Sequence, residues 1–335
     1  MAVKKINVGL IGTGRIGKMH AENIVTRIPM VNLLAVADIE PDDSWAQDLG
    51  IQKVLDNPEE LLSTQEIDAV VITTPSSTHV DMICLAAQAG KAIFCEKPVA
   101  FEPKDIQKAI RSVTDNKVAL QIGFNRRFDR DFQKVKKTIE EGSIGVPHII
   151  KVTNRDPQRP DLEFIPNSGG LFMDFCIHDF DTIRYLCDSE VEEVFASGAV
   201  LVDPEIGALG DIDTAVLTLT LSNGAIAVID VSRETHYGYD QQIEVFGSKG
   251  SIRAQNTRPT QTALSLSSGV YFDMPFYSFI ERYAEAYVSE LEYFFRCVNE
   301  GTEPSVKGDD ARQAVSIALA AKESYATNLP VRIIQ

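Results

Sequence analysis

The sequence predicts an α/β chain in two parts. Residues 1–123 read as a doubly wound parallel sheet, and residues 124–335 as an α+β domain with a large, mostly antiparallel, open-faced sheet. Three observations carry this. Strand and helix signals alternate through the first part, as in successive βαβ units. A glycine-rich turn stands directly between the first strand and the first helix. Beyond residue 123 the pattern changes to strands of period two joined by tight turns.

Ile6-Asn7-Val8-Gly9-Leu10-Ile11 is the first apolar run, and a helix is expected over 18–26. Residues 31–37 form the second strand, which ends on Asp38. Residues 68–74 form a third, as nearly continuous in apolar character as a parallel strand buried on both faces must be. Thr74-Pro75-Ser76-Ser77-Thr78-His79 leads from it into a helix over 80–89, closed by Gly90. A fourth strand over 92–95 carries Glu96-Lys97-Pro98 at its tip, and 118–123 is the fifth. In the second part a helix is expected over 129–140, a strand over 148–155 and a helix over 170–186. Thr214 to Leu221 alternates strictly, and Ser222-Asn223-Gly224 joins it to a partner over 225–231. Asn-Gly between two such runs is a strong hairpin signal. A second hairpin is expected around Gly247-Ser248-Lys249-Gly250, and helices over 283–299 and 308–326 finish the chain. The last is expected to pack back on the first domain. The threonine–aliphatic alternation calls for helices over one sheet face and a partner subunit over the other.

The glycine turn has its own chemistry. Gly12-Thr13-Gly14-Arg15-Ile16-Gly17 is a G-x-G-x-x-G sequence in the order strand, glycines, helix, strand, acid that a dinucleotide site needs. Gly12 permits the turn, Gly14 lets backbone approach a pyrophosphate, and Gly17 lets helix and strand pack closely. The helix N-terminus offers free N–H groups and partial positive charge to the phosphates. Asp38 follows roughly 20 residues on, where a carboxylate accepts from both ribose hydroxyls of NAD and repels the 2′-phosphate of NADP. Ile39 stands where an arginine would have served that phosphate, although Arg15 and Lys18 are nearby cations. NAD is therefore the expected cofactor. Ligands of such sheets sit at the carboxyl ends of the strands, which adds Thr74, Pro75, His79, Glu96 and Lys97 to the expected cofactor contacts. The bland alternatives are an ordinary glycine-rich turn and a solvated strand-end carboxylate.

Composition narrows the partners. A length of 335 residues holds two full cores, and 44% hydrophobic with 24% charged residues is ordinary for a globular protein. A formal net charge of −16 repels nucleic acid and anionic membranes, so neither is an expected partner. The 5 cysteines form no C-x-x-C pair and read as reduced thiols of a cytoplasmic protein. Lys4-Lys5 precedes an apolar run too short for a signal peptide, and nothing approaches 18 uninterrupted apolar residues.

Two places supply titratable side chains in suggestive positions. Lys97 stands at a strand tip on the ligand side, where a lysine hydrogen-bonds a substrate oxygen or relays a proton; the alternative is a solvated lysine before a proline-led turn. In Gly169-Gly170-Leu171-Phe172-Met173-Asp174-Phe175-Cys176-Ile177-His178, Asp174 and His178 are i and i+4 and share one helix face. Histidine is the natural general base near neutral pH, and a carboxylate one turn away orients it or binds a substrate hydroxyl. The alternative is a surface ion pair. Asp174, Cys176 and His178 are all metal-ligand types, but Cys176 falls on another face, so no metal is expected.

The glycine loop, Glu96-Lys97-Pro98, Gly123-Phe124-Asn125-Arg126-Arg127-Phe128-Asp129 and Gly169-Gly170 with Asp174 and His178 together resemble the Gfo/Idh/MocA oxidoreductase family, and the resemblance runs through essentially the whole chain. Asn154-Arg155-Asp156-Pro157 and Tyr237-Gly238-Tyr239-Asp240 are similar to segments of its inositol 2-dehydrogenases. The resemblance implies a Rossmann domain, NAD or NADP, a catalytic triad of Lys97, Asp174 and His178, and a homotetramer built through the second domain's sheet. Polar groups at Lys97, Arg127, Asn154, Asp156, Asp174, His178 and Tyr237 suit a ring bearing many hydroxyls. The expected reaction is NAD-dependent oxidation of a cyclic polyol, myo-inositol first, with scyllo- or chiro-inositol or another sugar as alternatives. Some inositol enzymes carry histidine where this chain has Asn154, which leaves the isomer open. An NAD-dependent glycosidase and a non-catalytic sugar sensor are the rivals, and the intact Lys97, Asp174 and His178 argue against the sensor.

Overall fold

Buried strands fix the first architecture. The computed structural model describes residues 5–333, so Lys4 lies outside them, and divides the chain into two units. The first unit is the chain up to Phe128 together with Glu285–Val315. Its strands are β1 (Ile6–Ile11), β2 (Val31–Ala37), β3 (Lys53–Leu55), β4 (Ala69–Ile72), β5 (Ala92–Glu96) and β6 (Leu120–Gly123). All pairings are parallel, in the order β3-β2-β1-β4-β5-β6. This is the doubly wound Rossmann order, and it reverses between β1 and β4, where such sheets bind ligands. β4 is buried at every residue because helices cover both faces. The sequence pattern passes over β3, three residues, one exposed and two half-buried, with no periodicity to show.

Val8, Leu10, Val36, Val71 and Phe94 of this sheet share one core with Val288, Leu291, Phe294 and Phe295. Those four lie on one stripe of the helix Ala284–Glu300, at the spacing of an amphipathic helix. Each fully buried side chain of this kind contributes about 1.5–3 kcal/mol. That burial brings the late segment Glu285–Val315, which includes only the first part of the terminal helix Gly308–Thr327, into the first unit.

The second unit, Asp129–Ala284 with Ser316–Gln335, is built on a seven-stranded sheet. Its strands are β7 (Pro147–Arg155), β8 (Val191–Ala199), β9 (Thr214–Leu221), β10 (Ile226–Ser232), β11 (Asp240–Gly247) and β12 (Gly250–Ala254). A separate exposed hairpin follows, β13 (Ala263–Leu266) with β14 (Gly269–Phe272), and β15 (Val331–Arg332) closes the main sheet in the order β12-β11-β7-β10-β9-β8-β15. Only β7 and β10 pair in parallel; the other pairings are antiparallel. Both expected hairpins form. Gly224 adopts φ +85° in the Asn-Gly turn, and Leu221 N–H donates to the Ala225 carbonyl at 2.9 Å. Helices Arg130–Glu140 and Ile177–Cys187 lie over one face. On the other, Val216, Ile226, Ile149 and Phe246 stand exposed.

One element differs from expectation. The single helix over 170–186 is in fact a π turn, Leu171–Phe175, followed by the α-helix Ile177–Cys187. The Cys176 N–H reaches back to the Leu171 carbonyl at 3.1 Å, an i→i+5 bond. Gly170, at φ +87°, starts the turn where a side chain would be strained. π turns occur frequently at functional sites.

Candidate active site

In the first unit the glycine turn is fixed by packing. The Gly12 N–H donates to the Ala37 carbonyl at 2.8 Å, tying the loop to the end of β2. A Cβ on Gly17 would fall 1.9 Å from the Gly12 carbonyl oxygen, so only glycine fits there. A Cβ on Gly14 would meet nothing within 4 Å, so the loop opens outward at that residue. The helix Arg15–Arg27 that begins there has no side-chain cap and no acid in its first turn. A helix N-terminus with no side-chain cap and no acid of its own is where an anion is best received. Arg15 is exposed beside them, and Ile16 is half-buried.

Asp38 sits at the tip of β2. Its Oδ2 accepts from the Thr13 N–H at 2.5 Å and the Thr13 hydroxyl at 2.9 Å, and its Oδ1 accepts from the Glu40 N–H at 3.0 Å. Burial pushes its carboxyl up, but these bonds outweigh burial and hold it below the usual carboxylate value. Ile39 beside it is 86% exposed. An uncapped helix N-terminus, an open glycine and an ionised carboxylate at the neighbouring strand tip fit NAD.

Beyond β4, the Thr74 hydroxyl accepts from Thr78 at 2.8 Å, and Pro75 is exposed. His79 is buried, with ring nitrogens 2.9 Å from the Pro98 carbonyl and 2.7 Å from the Thr74 carbonyl. Two acceptors favour its charged form and burial opposes it. Burial is the larger effect and pushes its pKa down. His79 thus ties together the backbone on either side of the site. Glu96 turns inward: its carboxylate meets His20 Nε2 at 2.8 Å and the Lys97 N–H at 3.2 Å. Glycine at 123 leaves it room, since a Cβ there would lie 3.0 Å from that carboxylate. His20, Glu96 and Glu290 each bring one nitrogen or oxygen within 4.8 Å of the others. Glu290 is fully buried; burial, then the charge of Glu96, push its carboxyl well above the usual range, so it keeps its proton where an ordinary carboxyl loses it. Lys97 is partly exposed, and Arg127 forms a 2.8 Å ion pair with Asp310.

In the second unit, Asp174 lies in the π turn and His178 in the first turn of the following helix. Across residues 171–180 these two alone are partly exposed; the other eight are buried. Asn154, on the helix-covered face of β7, donates to the Asp179 carboxylate at 2.8 Å, next in sequence to His178. Asp156 is partly exposed just past β7, its N–H on the Ser232 carbonyl at 3.1 Å. Tyr237 belongs to a different group. Its hydroxyl donates to Asp240 at 2.6 Å and accepts from Arg155 at 3.0 Å, and Arg155 also pairs with Asp230. Alternation along β7 puts Arg155 on the face opposite Asn154. Burial and the Asp240 bond push the Tyr237 phenol up, against the pull of Arg155.

Sequence reasoning missed Thr13, His20, Glu290, Asp211 and Arg233. Thr13 was within reach, because it lies inside the glycine motif. The others act through partners far away in sequence. Arg233 is joined to Asp174 across 59 positions.

Comparison with known proteins places this geometry. Residues 6–124 match the oxidoreductase family with an NAD-binding Rossmann fold, and residues 132–253 match the GFO/IDH/MocA C-terminal domain. An uncharacterized oxidoreductase of Bacillus subtilis is 48% identical, covering 98% of this chain and 97% of its own. The myo-inositol 2-dehydrogenase of Thermotoga maritima is 44% identical over 98% of both chains. Among solved structures, a probable dehydrogenase from Thermotoga maritima superposes with a TM-score of 0.96 at 44% identity, covering 98% of this chain and 99% of that one. A scyllo-inositol dehydrogenase from Lactobacillus casei, with bound NAD(H) and scyllo-inositol, does so with a TM-score of 0.93 at 30% identity, covering 98% and 99%. The chain belongs to the Gfo/Idh/MocA oxidoreductase family. It is an NAD-dependent dehydrogenase. No helix among the described residues is long and apolar enough to cross a membrane.

Proposed function

We propose that the chain oxidises a secondary alcohol of a cyclic polyol, myo-inositol at C2 to the keto-inositol, with His178 as general base. The observation that carries this reading is the opening of the buried run 171–180 at Asp174 and His178 alone, on an NAD-binding chain. The inositol dehydrogenase relatives support the choice of substrate. His178 accepts the proton of the reacting hydroxyl. The Lys97 ammonium stabilises negative charge developing on that oxygen, and Asp174 holds the substrate and the base in register. Bound NAD supplies the hydride acceptor. Proton transfer and positioning each contribute several kcal/mol in such sites, on the order of 10²–10⁴-fold for the former.

Gly12, Gly14, Arg15, Ile16, Gly17, Asp38, Ile39, Thr74 and Pro75 are assigned to the cofactor, with His79 and Glu96 setting the backbone around it and Lys97 reaching both ligands. Arg127, Asn154, Asp156 and Tyr237 are assigned to the polyol. Residues 1–123 form the cofactor domain in this reading, and the open sheet face of the second domain carries a homotetramer. A second substrate reading, scyllo-inositol, has its support in the Lactobacillus casei relative.

The test is a screen of the purified protein with NAD against inositol isomers, glucose and xylose, read at the NADH absorbance. The highest kcat/KM is expected for myo-inositol, followed by scyllo- or chiro-inositol. Hydroxyl-reading sites discriminate because an unmatched buried polar group costs about 1–3 kcal/mol. An aldose ahead by about tenfold, a difference of about 1.4 kcal/mol, overturns the inositol assignment.

A further inference from the structure

Arg233 follows β10 directly and is 1% exposed, the largest fully buried side chain among the described residues. A guanidinium cannot be held there without compensation. Its Nη1 lies 3.5 Å from Asp174 Oδ2, its Nη2 lies 3.7 Å from Asp211 Oδ2, and its Cζ stands 5.7 Å from the centre of the Phe175 ring. Nε and Nη2 make no hydrogen bond. Asp211 is engaged from its other oxygen: Oδ1 accepts the N–H of Leu171, the first residue of the π turn, at 3.1 Å. Asp211 comes this close because residue 170 is glycine; a Cβ there would lie 2.8 Å from the same Oδ1.

One buried cation thus faces two carboxylates that differ in what they do. Asp211 grips the start of the π turn. Asp174, within that turn, has a side chain 20% exposed and opens toward solvent beside His178. We propose that Arg233 is a positioning residue for the dehydrogenase reaction: with Asp211 as its anchor, it sets the place and orientation of the Asp174 carboxylate. The inference rests on the reading of Asp174 and His178 given above.

Two physical points favour this over simple packing. A well-packed apolar side chain often replaces a buried ion pair with no loss of stability, so packing alone does not call for a charge here. The contacts of 3.5 and 3.7 Å are also longer than the 2.7–2.9 Å of a saturated charge-assisted bond. Catalytic hydrogen bonds are commonly long before substrate arrives and tighten in the complex, and Arg233 keeps donors in hand for that adjustment.

The experiment uses the full chain with NAD and the best polyol of the screen. Four variants are compared with wild type: Arg233→Met, Arg233→Lys, Asp174→Asn and the double variant Arg233→Met with Asp174→Asn. NADH affinity, measured by fluorescence titration, is expected to stay at the wild-type value in all four. Arg233→Met is expected to lower kcat on the order of 30-fold with a much smaller change in KM, and Arg233→Lys to recover about tenfold of that loss. The double variant is expected to be no slower than Asp174→Asn alone, within about twofold, because a residue acting through Asp174 has nothing left to act on. Losses that multiply in the double variant overturn the inference, as does an Arg233→Lys enzyme no faster than Arg233→Met. If the methionine variant does not fold, the same cycle run with Arg233→Lys decides by the same criterion. Additive losses in an active enzyme leave the polyol reading standing and remove only the role of Arg233. A wild type that turns over no polyol or sugar removes both.

Discussion

Replacing Asp38 by serine and Ile39 by arginine tests how the fold chooses its cofactor. The Asp38 carboxylate does two things at once. In the proposed reading it is the anion for the ribose hydroxyls at the tip of β2, and it takes the N–H and hydroxyl of Thr13, inside the glycine turn, at 2.5 and 2.9 Å. Hydrogen bonds to a charged acceptor contribute about 1.5–3 kcal/mol. The site is partly open to water, so the low end applies, and losing such a bond weakens NADH binding by about tenfold or more. Ile39 is 86% exposed, so arginine enters at that position without steric cost and brings a cation for a 2′-phosphate. Wild type is expected to prefer NAD over NADP by at least about tenfold in kcat/KM, about 1.4 kcal/mol. The double substitution is expected to narrow or reverse that ratio while weakening NADH binding. Fluorescence titrations with NADH and NADPH, alongside kcat/KM for both oxidised cofactors, measure each part. Equal use of the two cofactors by wild type refutes the role given to Asp38, and a double variant with an unchanged ratio refutes the reasoning from its hydrogen bonds.

Three further outcomes are expected. His178→Ala and Lys97→Ala should each lower kcat on the order of 10²-fold or more with NADH binding retained, and a variant keeping over about a third of wild-type kcat loses its assignment. Glu290 has a folded-state pKa raised by burial and by Glu96, so its contribution to stability is full below the ordinary carboxyl value and is lost as pH rises through the folded value. Glu290→Gln, which cannot ionise, should therefore gain thermal stability relative to wild type at alkaline pH but not at acidic pH; a difference in Tm that stays flat with pH contradicts the buried acid. The open sheet face should hold a tetramer in light scattering at micromolar concentration, and Ile226→Glu with Phe246→Glu should disperse it; a monomeric wild type would rule out the face as an interface.

Local patterns were legible wherever a few neighbouring residues decide the outcome. The glycine turn could be read because Gly12 must take a positive φ and Gly17 must lie against the Gly12 carbonyl, and no other residue does either without strain. The Asn-Gly hairpin and the strict alternation of Thr214–Leu221 could be read for the same reason, since turn type and strand period are properties of adjacent residues. The sequence predicts helix over 170–186, but the extra residue of its π turn is not legible there. That turn is held from outside, by Asp211 on the Leu171 N–H. The bonds of the Tyr237 hydroxyl to Arg155 and Asp240 are likewise not legible, because Arg155 stands 82 positions away and meets it only through the pairing of β7 with β11.

By itself the sequence determined the doubly wound first sheet, the glycine turn with a carboxylate at the neighbouring strand tip, and the alternating sheet of the second unit. These follow from backbone sterics and from hydrophobic periods of 2 and 3.6 residues. Only the tertiary structure decided that Glu285–Val315 joins the first unit, that Glu290 is buried against Glu96 and His20, and that Arg233 stands behind Asp174. Each depends on surfaces meeting that lie far apart along the chain. An amphipathic stripe states that it must be buried and does not state against what, and a lone arginine or glutamate carries no local mark of the partner that will compensate its charge.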